Sequence, residues 1–232
     1  MSDSDYHILP YGDRALLVQF PPRIDEVTNR RVHDLRRDLE QQTILGFQYA
    51  VPAYCSLMVA YNPLITSFLT LKKTVADRLK SRFSVDEKKT KTRRHHRVPV
   101  CYETAYAPDL AALCAAKNLS PDAFIEHHTN ETFRVYMLGF LPGFAFMGRL
   151  PAVLRCDRKT TPRLRVPVGS VGLAGEQTGI YPFESPGGWQ LIGRTPQAVF
   201  DPQNAEPFLF RPGDTVQFYA ISAEHFSTWT AA

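Results

Sequence analysis

Glycine and proline are distributed very unevenly along this chain of 232 residues. Eleven of the 13 glycines and ten of the 18 prolines lie between Gly139 and Gly213. Because these residues mark turns and interrupt helices, the second half of the chain is expected to contain short strands joined by many turns. The first half can form longer elements. The asymmetry predicts an α+β domain followed by a mainly-β domain.

In the first half, strand-like and helix-like segments follow one another in the order β-α-β-β-α. Strands are predicted at 15–20, 47–53 and 56–61. Asp25 is a good N-cap for a helix whose apolar face carries Val27, Val32, Leu35 and Leu39. Asn62 and Pro63 are predicted to open a second helix, with the apolar positions Leu64, Phe68, Leu71, Val75 and Leu79. This order predicts a ferredoxin-like domain over residues 1–84, to which 98–102 could add a strand.

A basic stretch follows the predicted second helix. Residues 72–97 contain 11 Lys and Arg against 3 Asp and Glu. Such a stretch can contact nucleic acid or acidic lipid, or it can be a solvated helix end and a linker. No aromatic side chain interleaves with the charges between Asp86 and Arg97, so a surface for stacking bases is absent there. We therefore interpret 85–97 as a basic linker and expect no nucleic-acid partner.

The composition, 44% hydrophobic and 22% charged residues, is that of a globular protein. The longest uncharged apolar run covers 14 residues, 135–148, and a membrane-spanning helix needs about 20. We expect no membrane partner. The N-terminal residues lack a basic-then-apolar leader, and none of the four cysteines lies in a CxxC pair. A cytoplasmic protein with free thiols and no metal site is predicted.

Residues 98–232 are predicted to form a second domain with short helices within 108–128. Strand-like segments follow at 133–138, 170–174, 189–194, 198–200 and 215–220. Many short strands separated by Gly and Pro turns are typical of a barrel or a sandwich. The glycine-rich segment 169–179 lacks the Lys-Ser/Thr ending of a phosphate-binding loop, so its glycines are predicted to form tight turns.

Standard catalytic motifs are absent from the sequence, and the candidate binding residues lie in two loops of the second half. These are 139–144, with Phe140 and Phe144, and 178–189, which ends in Trp189. Arg163, Arg165 and Arg194 could bind a carboxylate or a phosphate, or be solvated surface residues. The aromatic residues could equally belong to the core. His127 and His128 end a predicted helix, where a protonated His is favoured, and His127 is a candidate acid or base.

Six segments together resemble one known family, the B-subunit of the bacterial ATP-dependent 5-oxoprolinase, also called the KipI or allophanate hydrolase subunit 1 family. The resemblance covers about residues 11–218, and the block 134–196 is its most specific part. A departure occurs after Tyr102, where Glu103 and Thr104 stand in place of the family's frequent Gly-Gly. The six segments are YGDRALLV (11–18), VPAY (51–54), RVYMLGFLPGF (134–144), GEQTGIYPFESPGGW (175–189), GRTP (193–196) and RPGD (211–214).

The resemblance implies a ferredoxin-like N-terminal domain and a cyclophilin-like β-barrel. It also implies a 5-oxoprolinase complex with a carboxyltransferase-like C-subunit and an A-subunit, which hydrolyses 5-oxo-L-proline to L-glutamate with ATP. ATP and Mg²⁺ would act at the level of the complex. On this basis we expect Arg163 and Arg194 to bind anions. His127, the candidate acid or base named above, would be the catalytic residue. Hydrogen-bonding and wall residues would be Gln177, Thr178, Ser185, Phe140 and Trp189.

Two other functions are compatible with the same resemblance. A KipI-like protein would inhibit a sensor histidine kinase by docking through its barrel surface. A component of a urea or allophanate carboxylation system would work with a biotin carboxylation machinery. The three functions share the barrel signature, so the sequence leaves them open.

Overall fold

An antiparallel sheet of four strands forms the first part of the molecule. In the computed structural model, which describes residues 6–83 and 93–230, the chain divides into two compact units between residues 91 and 92. The strands of the first unit lie in the order β1-β2-β4-β3, and all neighbours are antiparallel. Its elements are β1 (His7–Pro10), β2 (Ala15–Gln19), α1 (Glu26–Glu40), β3 (Phe47–Pro52), β4 (Ser56–Tyr61) and α2 (Phe68–Phe83).

Successive side chains of β2 and β4 point to opposite faces of the sheet, and those on one face are buried in the core of the first unit. Leu16 and Val18 on β2 and Leu57 and Val59 on β4 are buried in one apolar cluster. The same cluster includes the apolar face of both helices: Val32, Leu35 and Leu39 on α1, and Leu71, Val75 and Leu79 on α2. Asp25 caps α1 as predicted, by accepting a hydrogen bond of 2.8 Å from the backbone N–H of Thr28.

The second helix begins later than predicted. Asn62 and Pro63 belong to a turn, in which Oδ1 of Asn62 accepts a hydrogen bond from the N–H of Leu64. The helix starts at Phe68, and the preceding Ser67 accepts a bond of 3.1 Å from the N–H of Thr70. Leu64 is consequently 93% exposed and does not contribute to the apolar face of the helix.

The first sheet contains one strand that was not predicted and lacks one that was considered. The edge beside β2 is occupied by β1, a strand that was not predicted. The strand predicted at 98–102 begins earlier, as β5 (His95–Cys101), and belongs to the second unit. Of the predicted linker 85–97, residues 85–92 lie outside the described residues and 95–97 are part of β5. The ferredoxin-like assignment therefore stays a prediction.

Seven strands of the second unit close into a barrel in the order β10-β7-β6-β13-β5-β12-β9, which confirms the predicted barrel. A separate two-stranded sheet pairs β11 with β8. The strand predicted at 198–200 is reduced to one bridge between Phe200 and Phe208. The elements are α3 (Leu110–Lys117), α4 (Pro121–Thr129), β6 (Thr132–Leu138), β7 (Ala145–Gly148), a 3-10 turn (Ala152–Leu154), β8 (Arg163–Val166), β9 (Ser170–Ala174), β10 (Gln177–Ile180), β11 (Ser185–Gly187), β12 (Gln190–Arg194), β13 (Thr215–Ile221) and α5 (Ala223–Ser227).

The barrel interior is the larger of the two main cores. Val98, Phe133, Val171 and Phe218 are each at most 1% exposed and come from four different strands. The helices α3 and α4 pack onto the same cluster through residues such as Leu110 and Phe124. Ser120 caps α4 as predicted, with Pro121 at the first helical position. None of the helices in the described part of the chain has the length and apolarity that crossing a bilayer requires.

Candidate functional site

A polar network lies inside the barrel, among the apolar side chains of its core. The hydroxyl of Tyr102 is 2.7 Å from Nδ1 of His128, and Nε2 of the same ring is 3.4 Å from Oγ1 of Thr178. The Thr178 hydroxyl in turn donates to the carbonyl oxygen of Gly172 at 3.2 Å. Phe218 stacks on the imidazole with a centroid distance of 4.7 Å. Burial lowers the pKa of His128 to about 3, so the ring is neutral.

The two histidines that end α4 lie in different environments. His127, the predicted acid–base residue, lies on the exposed face of α4. His128, for which a protonated ring at the helix C-terminus was the predicted explanation, is fully buried and neutral instead. Adjacent residues on a helix point in different directions, and here one reaches solvent while the other enters the barrel. Thr178, predicted to bind substrate, belongs to the buried network.

On the outer face of the barrel lies an aromatic layer, which we define as Phe144, Phe146, Tyr181 and Trp189. The ring of Phe144 is within 5.4 Å of the other three ring centroids, in tilted or edge-on contacts. The strands beneath carry glycine, because the rings lie directly on the backbone. A Cβ at Gly179 would be 3.0 Å from the Phe144 ring, and one at Gly172 would be 3.0 Å from Cβ of Trp189. These two glycines therefore serve packing within strands, whereas Gly169 and Gly175 have positive φ and form the predicted turns.

The 178–189 segment is folded onto this layer. Trp189 and Ser185 are buried, and the Ser185 hydroxyl donates to the carbonyl oxygen of Pro186 at 3.3 Å. Phe140 is the exception, since its side chain is 66% exposed and its φ is 68°. Its ring contacts that of Phe144 edge-on, with a centroid distance of 5.7 Å. A left-handed backbone is unfavourable for a bulky residue, so the 139–144 turn holds Phe140 outward against a conformational cost.

At the border of the aromatic layer, one carboxylate binds two cations. We call this group the Asp109 corner: Asp109, Lys159 and Arg163. Oδ1 of Asp109 accepts from Nη2 of Arg163 at 2.7 Å and from Nζ of Lys159 at 3.1 Å. Oδ2 accepts from the backbone N–H of Leu191 at 2.7 Å. Burial alone would raise the pKa of Asp109, but these hydrogen bonds lower it below 3.8, so the carboxylate is charged.

Arg194 and Gln177, which were also predicted to bind substrate, contact other parts of the second unit. Nε of Arg194 donates to the carbonyl oxygen of Val168 at 2.7 Å, and its guanidinium lies over the ring of Phe226. Gln177 begins β10 and pairs with Gly148 and Ala174. Of the predicted binding residues, Arg163 belongs to the Asp109 corner and Trp189 to the aromatic layer. Ser185 lies in the segment that is folded onto this layer. Asp109, Lys159 and Tyr181 were missed.

Two features bear on where a metal ion or a phosphate group could bind in the described residues. Residues 6–83 and 93–230 contain no group of three or more His, Cys, Asp or Glu that could hold a metal ion. The glycine-rich segment 169–179 forms the hairpin of β9 and β10, and no helix follows to bind phosphate at its N-terminus.

The family model described as "Carboxyltransferase domain, subdomain C and D" matches residues 6–210, so the chain belongs to this family. It is 40% identical to the 5-oxoprolinase B-subunit of Bacillus subtilis, over 97% of this chain and 96% of the relative. It is 36% identical to the 5-oxoprolinase B-subunit of Haemophilus influenzae, over 94% and 99%. These matches confirm the family resemblance stated from the sequence.

Solved structures give the same fold. A crystal structure of TTHA0988 matches with a TM-score of 0.77 and 37% identity, over 90% of this chain. This chain spans 40% of the length of that one. The urea amidolyase of K. lactis matches with a TM-score of 0.80 over 98% of this chain and 16% of its own, and at 20% identity this likeness shows the fold alone.

Proposed function

We propose that this chain is the B-subunit of an ATP-dependent 5-oxoprolinase, which hydrolyses 5-oxo-L-proline to L-glutamate with release of ADP and phosphate. The proposal is carried by the relatives of that name, which match nearly the whole chain at 36–40% identity. The partners we propose are the A-subunit of such an enzyme and its carboxyltransferase-like C-subunit. We place the reaction in the cytoplasm, because it consumes ATP and the four cysteines are free.

The chemistry explains why such an enzyme would be divided among several chains. A five-membered lactam is a stable amide, and transfer of the γ-phosphoryl group of ATP to its carbonyl oxygen activates it and releases ADP. Water then adds to that carbon and the C–N bond breaks, with a proton going to the nitrogen, which gives the amine and an acyl phosphate. A second water hydrolyses the acyl phosphate to the carboxylate of glutamate and free phosphate. Charge on the transferred phosphoryl group must be neutralised by cations or Mg²⁺, and the described residues of this chain hold no metal cluster. We assign that task to the partner chains.

The part of the reaction that suits this chain is substrate binding. 5-Oxoproline carries one carboxylate on a small ring. Arg163 supplies a positive charge, and this charge acts on Tyr181 of the aromatic layer. His127 has no described partner among these groups and is exposed, so we give it no part in this binding site.

Reconstitution tests the proposal directly. The purified A- and C-subunits would be mixed with this chain, and glutamate, ADP and phosphate measured together after addition of 5-oxo-L-proline and ATP. We expect equimolar release that depends on all three proteins and is restored when this chain is added back. Undiminished activity without this chain would overturn the proposal. A kinase inhibitor of the KipI type would instead bind a sensor kinase and leave this reaction unaffected.

A further inference from the structure

The Asp109 corner has one more positive charge than negative charge. Asp109 is 8% exposed and faces both Arg163 and Lys159, whose side chains are 25% and 31% exposed. The other acidic side chains of the adjoining segments do not compensate. Asp157 is exposed, and Glu184 is paired with Arg165 at 2.8 Å. A largely desolvated surplus charge is costly, so the corner favours one added anion.

The Arg163 guanidinium also has an unused donor. Its Nη2 donates to Asp109, whereas its Nη1 is buried and has no hydrogen-bond partner within the described part of the chain. A buried N–H without an acceptor loses its hydration and gains nothing in return. An arginine held through one nitrogen and free at the other is arranged to receive a second acceptor.

A tyrosine hydroxyl lies next to the same guanidinium. Gly187 and Arg163 are directly paired across β11 and β8, and paired residues project to the same face of a sheet. The space that a Cβ at Gly187 would fill is taken by the hydroxyl of Tyr181. Tyr181 is buried, and the charge of Arg163 acts on it. A hydroxyl donor therefore stands beside Arg163 on the same face.

We propose that Arg163, Lys159 and Tyr181 form a receptor for a single small carboxylate, with Asp109 as the positioning residue beneath it. Nη1 of Arg163 and the Tyr181 hydroxyl donate to the carboxylate oxygens, and Lys159 supplies the compensating charge. Because Lys159 is held by a single 3.1 Å contact on a flexible stem, its head group turns outward to admit the anion. Identifying this carboxylate with that of 5-oxo-L-proline rests on the proposed function.

The site favours a carboxylate over a phosphate. One surplus positive charge matches a monoanion, and a doubly charged phosphate would leave an unpaired negative charge at the border of an apolar layer. Phosphate sites also commonly use a helix N-terminus or a run of backbone N–H groups. In this corner the Leu191 N–H is already bonded to Asp109.

Titration of the full-length, ¹⁵N-labelled chain tests the receptor without the partner chains. The probes are 5-oxo-L-proline, the neutral lactam 2-pyrrolidinone and inorganic phosphate, followed by NMR at the arginine Nε–H groups and the Leu191 amide. We expect saturable shifts with 5-oxo-L-proline alone. Arg163→Gln and Arg163→Lys should each weaken its binding by about tenfold or more, the effect of a charge-assisted hydrogen bond. Arg165→Gln, on the same strand but exposed, is the matched control and should bind like the parent chain.

The outcomes separate this inference from the proposed function. Equal shifts with 2-pyrrolidinone or phosphate, or undiminished binding to a folded Arg163→Lys chain, would overturn the receptor whatever the activity of the complex. In the reconstituted complex, a receptor role requires Arg163→Lys to raise KM for 5-oxo-L-proline far more than it lowers kcat. For Asp109, a positioning role requires Asp109→Asn to raise the same KM and Asp109→Glu to recover part of it. Carboxylate-specific binding in a chain that supports no oxoprolinase activity would reject the proposed function and keep the receptor.

Discussion

The hydroxyl oxygen of Tyr102 lies 2.7 Å from Nδ1 of His128, and both side chains are buried inside the barrel. Two polar groups in an apolar interior are tolerable because each satisfies the other. The Thr178 hydroxyl, which bonds the backbone of Gly172, extends the network to β9. The network thus links the residue that follows β5, the end of α4 and the β9–β10 hairpin.

Removing the Tyr102 hydroxyl should destabilise the second unit. In Tyr102→Phe, Nδ1 of the buried His128 loses its partner, and we expect the free energy of unfolding to fall by about 1–3 kcal/mol. Urea denaturation followed by tryptophan fluorescence measures this loss. Tyr106→Phe is the control, because Tyr106 is half-buried and contacts Phe226 through its ring. Equal effects of the two substitutions would show that the Tyr102 hydrogen bond contributes nothing.

The buried His128 should make stability depend on pH between about 6.5 and 3. Burial lowers its folded-state pKa to about 3, while the unfolded chain takes up the proton near the ordinary value of 6.5. The unfolded state therefore binds more protons in this window, so stability is complete above it and decreases as the pH falls, by up to about 1.4 kcal/mol per pH unit. Unfolding free energies between pH 7 and 4.5 measure the slope.

The neighbouring histidine provides the control for this slope. His128→Gln should unfold more easily at pH 7 but lose less stability than the parent chain as the pH falls. His127→Gln, altered at the exposed position next to it, should keep the parent slope. A slope that persists in a folded His128→Gln chain would exclude His128 as its origin.

Neutralising Asp109 should leave two cations facing each other. We expect Asp109→Asn to lower the free energy of unfolding at pH 7 by about 2 kcal/mol, less than for a fully buried pair because Lys159 and Arg163 are partly hydrated. The hydrogen bonds that lower the pKa of Asp109 stabilise the fold above pH 4, and this contribution is lost as the pH falls below the depressed value. The penalty of Asp109→Asn should therefore shrink in acid. Glu184→Gln, which removes an exposed pair, should change stability by less than about 0.5 kcal/mol.

The barrel could be predicted from the sequence because Gly and Pro density limits segment length, which is a local property. The Asp109 corner could not, because Asp109 and Arg163 are 54 residues apart and meet only when the barrel closes. The residue type alone indicated that Arg163 binds an anion. Nothing near Arg163 in the sequence indicated that the carboxylate of Asp109 is one of the anions it binds. His127 was favoured over His128 because the sequence placed both residues at the end of a helix but did not show which side of that helix faces the barrel.

Adding a methyl group beneath the aromatic layer should be costly. In Gly179→Ala the new Cβ would lie 2.9 Å from the carbonyl oxygen of Ala145 and 3.0 Å from the Phe144 ring, and neither can retreat without disturbing the strand or the layer. We expect a loss of about 1–3 kcal/mol, typical of overpacking. Gly139→Ala is the comparison, since its Cβ would meet only the flexible end of Met137. Thermal unfolding of both variants would contradict the packing argument if their midpoints fell equally.

The start of α2 can be tested with two neighbouring substitutions, because the sequence and the structure place it differently. In the structure Ser67 caps the helix through the N–H of Thr70, so Ser67→Ala should lower the free energy of unfolding of the first unit by about 1 kcal/mol. Leu64 is almost fully exposed, so Leu64→Ser should change it by less than about 0.5 kcal/mol. Had the helix begun at Asn62, Leu64 would lie on its apolar face, and replacing it would be the more damaging change. Urea denaturation followed by far-UV circular dichroism measures both, and a larger effect of Leu64→Ser would move the helix start back to Asn62.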